Sequence, residues 1–405
     1  MEQLIYLDNA ATTAVQEEVF DAMKPYFTKI YSNPSSVYQF AFDAKQKVEE
    51  AREAIAGVIG AKASEIYFTG GGSESDNWAI KGVAEQLKEK GKHIITTAIE
   101  HHAVLHTCQW LEKQGYEVTY LPVDEYGIVS PESVEKAIRP DTILISVMYA
   151  NNEIGTLEPI KEIGAVARKH KILFHTDAVQ AYAHVPINVK EENIDLLSAS
   201  GHKFGGPKGI GFLYIRSGVR IGSFVHGGSQ ERGRRAGTTN TPGIAGMGKA
   251  ALLAAEKMQE RMAYEAELRD YLIQRVLTEI PYVRLNGHRE KRLPGNANFC
   301  FRFVEGESLL ILLDMNGICA SSGSACTSGS LDPSHVLLAI GLPHEVAHGS
   351  LRLTLSHDNT KEEIDFTVDR LKEILVRLRS MSPLYEDFVK GEKADELSGF
   401  YQKNE

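Results

Sequence analysis

The chain has 405 residues, of which 43% are hydrophobic and 24% are charged, a composition that excludes disordered, collagen-like and coiled-coil architectures. A chain of this length predicts two or three domains. Its 54 acidic residues exceed its 44 lysines and arginines and give a net charge of −10, which argues against nucleic acid as a direct partner because a negative surface repels phosphate backbones.

The sequence carries no signal for export or membrane insertion. The longest aliphatic stretch, Leu309–Leu313, has five residues, whereas a membrane-spanning helix needs about 20. Met1–Val15 has neither the basic start nor the apolar core of a signal peptide. The cysteines, too few and too scattered for a disulfide framework, are Cys108, Cys300, Cys319 and Cys326. We therefore predict a cytoplasmic protein with free thiols and no membrane partner.

Short β-rich runs alternate with helical stretches from about residue 65 to residue 216. The predicted strands are Glu65–Thr69, His93–Ala98, Glu117–Val123, Thr142–Tyr149, Ile172–Thr176, Asp195–Ala199 and Gly211–Ile215. Several are nearly continuous apolar runs, as expected of strands covered on both faces. Helical stretches such as Glu74–Lys90 and Pro159–His170 separate them. This order predicts a parallel sheet whose ligands lie beyond the carboxyl ends of the strands.

A glycine turn follows the first of these strands. Thr69–Asn77 reads Thr-Gly-Gly-Gly-Ser-Glu-Ser-Asp-Asn and leads into a helix. The free N–H groups at the start of that helix, with the Ser73 hydroxyl, predict a phosphate-binding turn. The spacing matches neither the P-loop nor the dinucleotide-binding fingerprint, and a purely structural turn is the alternative.

Two later strands end in residues that suit a cofactor. In His175–Gln180, the carboxylate of Asp177 is suited to pair with a protonated ring nitrogen, although it could equally begin a helix as an N-cap. In Ser200–Lys203, burial of Lys203 would favour the neutral amine that attacks aldehydes. The alternative for Lys203 is a surface lysine in a glycine turn.

The C-terminal third predicts a second, smaller α+β domain. One long helix is predicted from about Gly246 to Glu279. After it come a strand at Ala297–Phe303, an apolar helix near Ser308–Met315, a strand at Ser350–Leu355, and a helix with an apolar face. The polar residues after Pro383 are predicted to form a tail.

Ser321–Ser330 is rich in serine and glycine, has no apolar period and contains Cys326. We predict a flexible, exposed loop, which is unusual for a free cysteine because most are buried and inert. A thiol on such a loop can react at one place and deliver at another, whereas the alternative is an accidental surface cysteine.

His344–His348 matches the H-E-x-x-H pattern of zinc peptidases. That chemistry needs both histidines on one face of a stable helix and a third ligand. Here Pro343 and Gly349 bound the segment, and Thr354 stands where a third histidine would be expected. We therefore predict a short capped helix and no metal site.

These motifs together resemble the pyridoxal-phosphate-dependent cysteine desulfurases of the class-V aminotransferase family, in particular the NifS/IscS group. The resemblance extends from Tyr6 to at least Leu355. Its most specific motifs are Tyr6–Thr13, Glu100–His101, Asn151–Glu153, His175–Gln180, Ser200–Lys203, Arg232–Thr238 and the Cys326 loop.

The resemblance implies roles for individual residues. The catalytic residues are Lys203, Cys326 and His101. The residues that would hold pyridoxal 5'-phosphate (PLP) are Gly72, Ser73, Asn152, Asp177, Gln180, Ser200, His202, Lys203 and, from the other subunit, Thr238. Arg352 would grip the substrate carboxylate bidentately, beside Asn152. It implies no metal ligand.

The resemblance also implies a fold and an activity. The fold is α/β, PLP-dependent transferase fold type I, in a homodimer. A large domain, 15–258, would contain a mainly parallel seven-stranded sheet, and a small α+β domain, 1–14 and 259–405, would carry the Cys loop at about 321–331 and a C-terminal tail. The activity is conversion of L-cysteine to L-alanine, with sulfur passing to a persulfide on Cys326. Acceptor proteins, an iron–sulfur scaffold or a tRNA-thiolation enzyme, would receive the sulfur.

Other functions remain open at the level of sequence. A selenocysteine lyase or another fold type I aminotransferase would share the cofactor site but would need no reactive loop thiol. A zinc peptidase would depend on His344–His348, and a sulfur-relay scaffold would lack the cofactor.

Overall fold

The computed structural model describes residues 4–322, 333–391 and 397–401. The strands, numbered along the chain, are β1 (Ile5–Tyr6), β2 (Ile66–Thr69), β3 (His93–Thr97), β4 (Glu117–Leu121), β5 (Thr142–Ser146), β6 (Leu173–Asp177), β7 (Leu196–Ser200), β8 (Gly211–Ile215), β9 (Val283–Asn286), β10 (Asn296–Phe301), β11 (Ile318–Cys319) and β12 (Ser350–Thr354).

The helices are α1 (Glu17–Met23), α2 (Pro25–Thr28), α3 (Phe42–Val58), α4 (Gly72–Leu87), α5 (His102–Glu112), α6 (Pro131–Ala137), α7 (Ile160–His170), α8 (Thr241–Glu256), α9 (Met258–Glu279), α10 (Gly306–Asp314), α11 (His335–Ala339), α12 (His344–His348), α13 (Lys361–Ser380) and α14 (Pro383–Lys390). Short 3-10 turns lie at Gln39–Ala41, Ala63–Glu65, Gly201–Lys203, Glu231–Gly233 and Ser398–Phe400.

Seven strands form the large sheet in the order β2-β8-β7-β6-β5-β3-β4. Neighbouring strands are parallel except at β8, which runs antiparallel to both β2 and β7. The prediction of a mainly parallel seven-stranded α/β sheet is therefore confirmed, with small differences in strand bounds. Because successive side chains point to opposite faces, Ile95 and Ile145 join one apolar core with α3, α7 and α8, whereas Ile94 and Leu144 join another with α4 and α5.

A second structural region follows α8. Three antiparallel strands in the order β12-β10-β9 and a parallel pair of β1 and β11 pack with α9, α10 and α13. Ile5 and Leu7 lie in this second core, although they come from the start of the chain. The smaller α+β region is thus confirmed. We propose the domain bounds 15–258 and 1–14 with 259–405, because the cores divide close to those positions.

The prediction of one long helix at 246–279 is wrong. The structure has two helices, α8 and α9, separated at Lys257, whose φ of −116° and ψ of 13° are not helical. Residues of α8 belong to the core of the large sheet, whereas residues of α9 belong to the second core. The chain must therefore change direction between them, and no glycine or proline marks that position.

The prediction that the residues after Pro383 form only a polar tail is also wrong. Pro383 begins α14, where its fixed φ suits the first helical turn. The rings of Tyr385 and Phe388 lie 5.3 and 5.1 Å from the ring of Phe303, and Tyr401 is buried. Aromatic residues in this stretch supply apolar area that the overall polarity of the segment conceals.

Of the helices described, none has the length and apolarity that crossing a membrane requires.

Candidate active site

The carboxyl ends of β2, β6 and β7 meet at a pocket of about 320 Å³. Its lining includes all the residues predicted for the site except Thr238 and Cys326; they are Gly72, Ser73, His101, Asn152, Asp177, Gln180, Ser200, His202, Lys203 and Arg352. A larger groove of about 950 Å³ runs along α9 and β9 and contains none of these residues. The residue types that line the smaller pocket, and not its volume, therefore identify it as the candidate site.

The turn between β2 and α4 forms one wall of the pocket. Gly71 has a φ of +152°, where a side chain would be strained, and a Cβ on Gly72 would lie 2.6 Å from Val179 Cγ2. The first N–H groups of a helix have no partner within it, and α4 is 16 residues long. With the hydroxyls of Ser73 and Ser200 on the same pocket, this wall suits a phosphate group.

Lys203 lies in the turn that follows β7. Its Nζ donates to the carbonyls of Ala10 (2.6 Å) and Ala11 (2.8 Å). The backbone carbonyl of Lys203 accepts a hydrogen bond from His184 Nε2 (2.8 Å). The amine therefore lies inside the pocket and not at an open surface. Hydrogen bonds of both the side chain and the backbone carbonyl of Lys203 hold this partly buried turn.

Two buried carboxylates, Asp177 from β6 and Asp76 from α4, line the pocket. The Asp177 side chain accepts the N–H of Val179 (2.9 Å), but no helix begins there, so the N-cap interpretation is wrong. Asp76 Oδ1 has no hydrogen-bond partner among the described residues. Burial raises the pKa of both carboxyls, and the charge of Asp177 raises that of Asp76 further. A pair of this kind favours a cationic N–H donor such as a pyridinium.

His101 immediately precedes α5, and its Nδ1 accepts the N–H of Ala103 (3.1 Å). Burial, and next the positive charge of Lys203, lower the pKa of the imidazole to about 4. The ring is therefore neutral near pH 7, and because Nδ1 accepts a hydrogen bond, its proton is on Nε2. A neutral imidazole in this position can exchange protons with a bound molecule.

Arg352 reaches the pocket from β12, on the opposite side. The residue is 3% exposed. Its Nη2 donates to Asp8 Oδ1 (2.8 Å) and its Nη1 to the carbonyl of Asn152 (3.0 Å). Its Nε has no hydrogen-bond partner among the described residues. The pocket thus combines an anion-binding helix start, an amine, buried acids and a buried guanidinium, a donor set that fits PLP with an amino-acid substrate.

The lining of the pocket accounts for every predicted residue but Thr238 and Cys326. Thr238 is exposed and does not line the pocket, and Cys326 lies outside the described residues. No individual role was predicted for Asp76 or Asp8. Asp76 could have been found, because it follows Ser73 by three residues and so shares its helix face, whereas nothing local points to Asp8.

The H-E-x-x-H segment forms the five-residue helix α12 between Pro343 and Gly349, which confirms the predicted short helix. Within residues 4–322, 333–391 and 397–401, no group of three or more histidine, cysteine, aspartate or glutamate side chains is arranged to hold a metal ion. The zinc-peptidase interpretation therefore has no structural support.

The chain is similar to known proteins in both sequence and structure. The family model described as aminotransferase class-V matches residues 5–366. A relative from Methanosarcina thermophila, named cysteine desulfurase IscS, is 59% identical over 94% of this chain and 94% of its own. A solved structure described as a NifS-like protein has a TM-score of 0.88 and 38% identity, over 93% of this chain and 100% of the other. Another, described as SspA in complex with cysteine, has a TM-score of 0.78 and 41% identity, over 87% of this chain and 99% of the other.

Proposed function

The chain belongs to the aminotransferase class-V family, and on that premise we propose that it is a PLP-dependent cysteine desulfurase that converts L-cysteine to L-alanine. One observation carries the proposal. The amine of Lys203, the buried carboxylate of Asp177 and the guanidinium of Arg352 line a single pocket beside a helix start suited to phosphate. The identity of 59% to a cysteine desulfurase supports the choice of substrate.

When bound, PLP supplies an electron sink for reactions at the α and β carbons of an amino acid. Lys203 would hold it covalently and Asp177 would pair with its ring nitrogen, while Ser73, Ser200 and His202 would hold its phosphate. Arg352 binds the substrate carboxylate in a charge-assisted pair. The amine of Lys203 would remove the proton from Cα of the substrate, and the neutral ring of His101 would move protons beside it.

We assign the sulfur-accepting role to Cys326. Its thiolate forms a sulfur–sulfur bond to the substrate thiol while the bond between Cβ and sulfur breaks. The electron pair of that bond remains with the carbon skeleton, which takes up a proton and leaves as alanine. The product on the protein is a persulfide, which a second thiol can attack.

We propose that the protein acts as a homodimer. Large apolar side chains are exposed from α1 to the start of α3; they are Phe20, Phe27, Tyr31, Val37, Tyr38, Phe40 and Phe42. Exposed apolar area of this size is typical of a protein interface. In a dimer, Thr238, which is exposed and does not line its own pocket, would bind the phosphate in the other subunit.

The acceptors of the persulfide sulfur are, in this proposal, protein thiols on an iron–sulfur scaffold or a tRNA-thiolation enzyme. We place the reaction in the cytoplasm, because a thiol that accepts sulfur must stay reduced between turnovers. The three cysteines that the structure describes, Cys108, Cys300 and Cys319, are free. Burial raises the pKa of the Cys108 and Cys300 thiols, so neither of these two is a competing nucleophile.

Replacement of the proposed nucleophile tests the function. Cys326→Ser is expected to keep bound cofactor and to bind cysteine, but to release no sulfide, since a hydroxyl cannot form the persulfide. The measurement is sulfide and alanine production, with Cys319→Ser as the matched control. Undiminished sulfide release by Cys326→Ser would contradict the assignment, and transfer of the amino group to a keto acid without sulfide would favour an aminotransferase.

A further inference from the structure

The hydrogen bonds of Arg352 continue beyond the pocket in two directions. Asp8 accepts from Nη2 at 2.8 Å, and the carbonyl of Asn152 accepts from Nη1 at 3.0 Å. Asp8 and Asn152 are therefore both held against the guanidinium to which we assign the substrate carboxylate.

Asp8 also binds the chain immediately before segment 323–332, which contains Cys326. The hydroxyl of Ser321 donates to Asp8 Oδ2 at 2.9 Å. The backbones of Ser321 and Arg352 exchange two further hydrogen bonds, of 3.2 and 2.6 Å. One end of segment 323–332 is thus fixed to Arg352 both directly and through Asp8.

Glu153, the residue after Asn152, binds the chain immediately after the same segment. The hydroxyl of Ser334 donates a short hydrogen bond to Glu153 Oε2. The same oxygen of Ser334 accepts the N–H groups of Val336 (3.1 Å) and Leu337 (3.2 Å) and so begins α11.

The Glu153 carboxylate is well placed to act as a fixed anchor. Glu153 is 5% exposed, and its carbonyl accepts the side-chain amide of Asn298 at 3.1 Å. Burial raises the pKa of its carboxyl to about 7, while the hydrogen bond from Ser334 and the charge of Arg352 act in the opposite direction. Ser334 is therefore connected to the same guanidinium. The connection runs through the peptide unit between Asn152 and Glu153 and then through the Glu153 side chain.

We propose that Asp8 and Glu153 are positioning residues that hold the two ends of segment 323–332, through Ser321 and Ser334, at set places relative to Arg352. The inference rests on the proposed function, in which a substrate held by Arg352 meets the thiolate of Cys326. Attack of one sulfur on the other requires the two atoms to be closely aligned. A misplacement of about 1 Å can cost about 100-fold in rate. Fixing both ends to the group that binds the substrate reduces that misplacement.

The test uses Ser321→Ala and Ser334→Ala in the full-length holoenzyme. Persulfide formation on Cys326 in a single turnover is expected to slow roughly tenfold for each variant, the scale of one hydrogen bond to a charged group. KM and the absorbance of bound cofactor should stay at native values, because Arg352 and Lys203 are unchanged. Ser334→Thr, which keeps the hydroxyl, should restore the native rate.

A second measurement does not depend on the cofactor. In cofactor-free protein, the rate at which iodoacetamide alkylates Cys326 is expected to rise several-fold in Ser334→Ala, because the hydrogen bond from Ser334 to Glu153 is lost. The matched control is Ser130→Ala. Ser130 also begins a helix, accepting the N–H of Ser133 at 3.2 Å, and donates to a carboxylate, that of Glu132, at 2.6 Å, but neither bond involves Glu153 or Asp8.

If Ser321→Ala and Ser334→Ala match Ser130→Ala in both measurements, the positioning role is wrong. If the native holoenzyme forms no persulfide from cysteine, the proposed function is wrong instead. In that case the alkylation rates still decide whether Glu153 and Ser334 fix that end of the segment.

Discussion

The two sides of the pocket are built in different ways. The side that we assign to the cofactor comes from the ends of neighbouring strands in one sheet, with Ser200–Lys203 after β7 and Asp177 at the end of β6. The side that we assign to the substrate combines Arg352 from a second sheet with Asp8 and Asn152, which are 344 and 200 positions away in sequence.

The difference shows which kinds of function are readable along a chain. A strand-end motif keeps its spacing in the sequence, because a parallel sheet brings the carboxyl ends of strands to one edge. A site formed between two regions leaves no local pattern. If the two sides act separately, a substitution on one side should leave the other side intact.

The largest expected effect is on the cofactor side. Lys203→Ala should remove the visible absorbance of bound cofactor and lower kcat by at least about 1,000-fold, since both a covalent link and a general base are lost. Absorption spectra and sulfide assays measure the two losses. Lys190→Ala, an exposed lysine, is the control, and an unchanged spectrum in Lys203→Ala would contradict the cofactor assignment.

Arg352→Ala should affect the substrate side alone. We expect KM for cysteine to rise about 100-fold, because a charge-assisted bidentate pair is lost, while cofactor absorbance stays native. Arg284→Ala, in β9 of the same sheet, controls for loss of a guanidinium outside the pocket. Loss of cofactor from Arg352→Ala would show that the two sides depend on each other.

The smallest effect concerns the pH dependence of folding stability through His175, which lies in β6. Both ring nitrogens of His175 are bonded, to Ser146 Oγ (2.8 Å) and Ser198 Oγ (3.0 Å), and burial lowers the imidazole pKa to about 3. In the unfolded chain this ring takes up a proton below a pH of about 6.5. Between these values the unfolded state binds more protons, so stability falls as pH falls, by at most about 1.4 kcal/mol per pH unit from this group.

Denaturant titrations from pH 7 to pH 4 measure that slope. His175→Gln should flatten it, even though the variant is less stable throughout. His344→Gln, in which an exposed ring is replaced, should leave the slope native. An unchanged slope in His175→Gln would contradict the buried neutral state of this histidine.

Much of the fold was accessible from sequence because the elements of the large sheet satisfy local rules. Several of its strands, such as β2 and β5, are mostly apolar runs that are buried on both faces, and the glycine turn before α4 was identified from residue types alone. The break at Lys257 and the aromatic packing of α14 were not predicted, since each depends on a partner surface that the local sequence does not specify.

The residues of the candidate site divide in the same way, into those that belong to a local motif and those that do not. Ser200–Lys203 and His175–Gln180 carry their chemistry in a few adjacent residues, and the resemblance to a family supplied Arg352. Asp8 was missed because its role depends on what lies beside it in the fold, whereas Asp76 was overlooked although its spacing from Ser73 places both residues on one helix face.

The segment before α1 has a practical consequence for protein engineering. Leu7 bonds through its backbone to Cys319 (2.9 Å) and to Thr354 (2.7 Å), whereas Thr13 bonds through its backbone N–H (2.9 Å) and hydroxyl (3.0 Å) to the carbonyl of His202. A short stretch that includes the turn at residues 8–11 thus connects the two sides of the pocket. A protease cut or an inserted tag within it is expected to impair substrate binding and cofactor retention together, because Asp8 binds Arg352 and the carbonyls of Ala10 and Ala11 accept hydrogen bonds from Lys203.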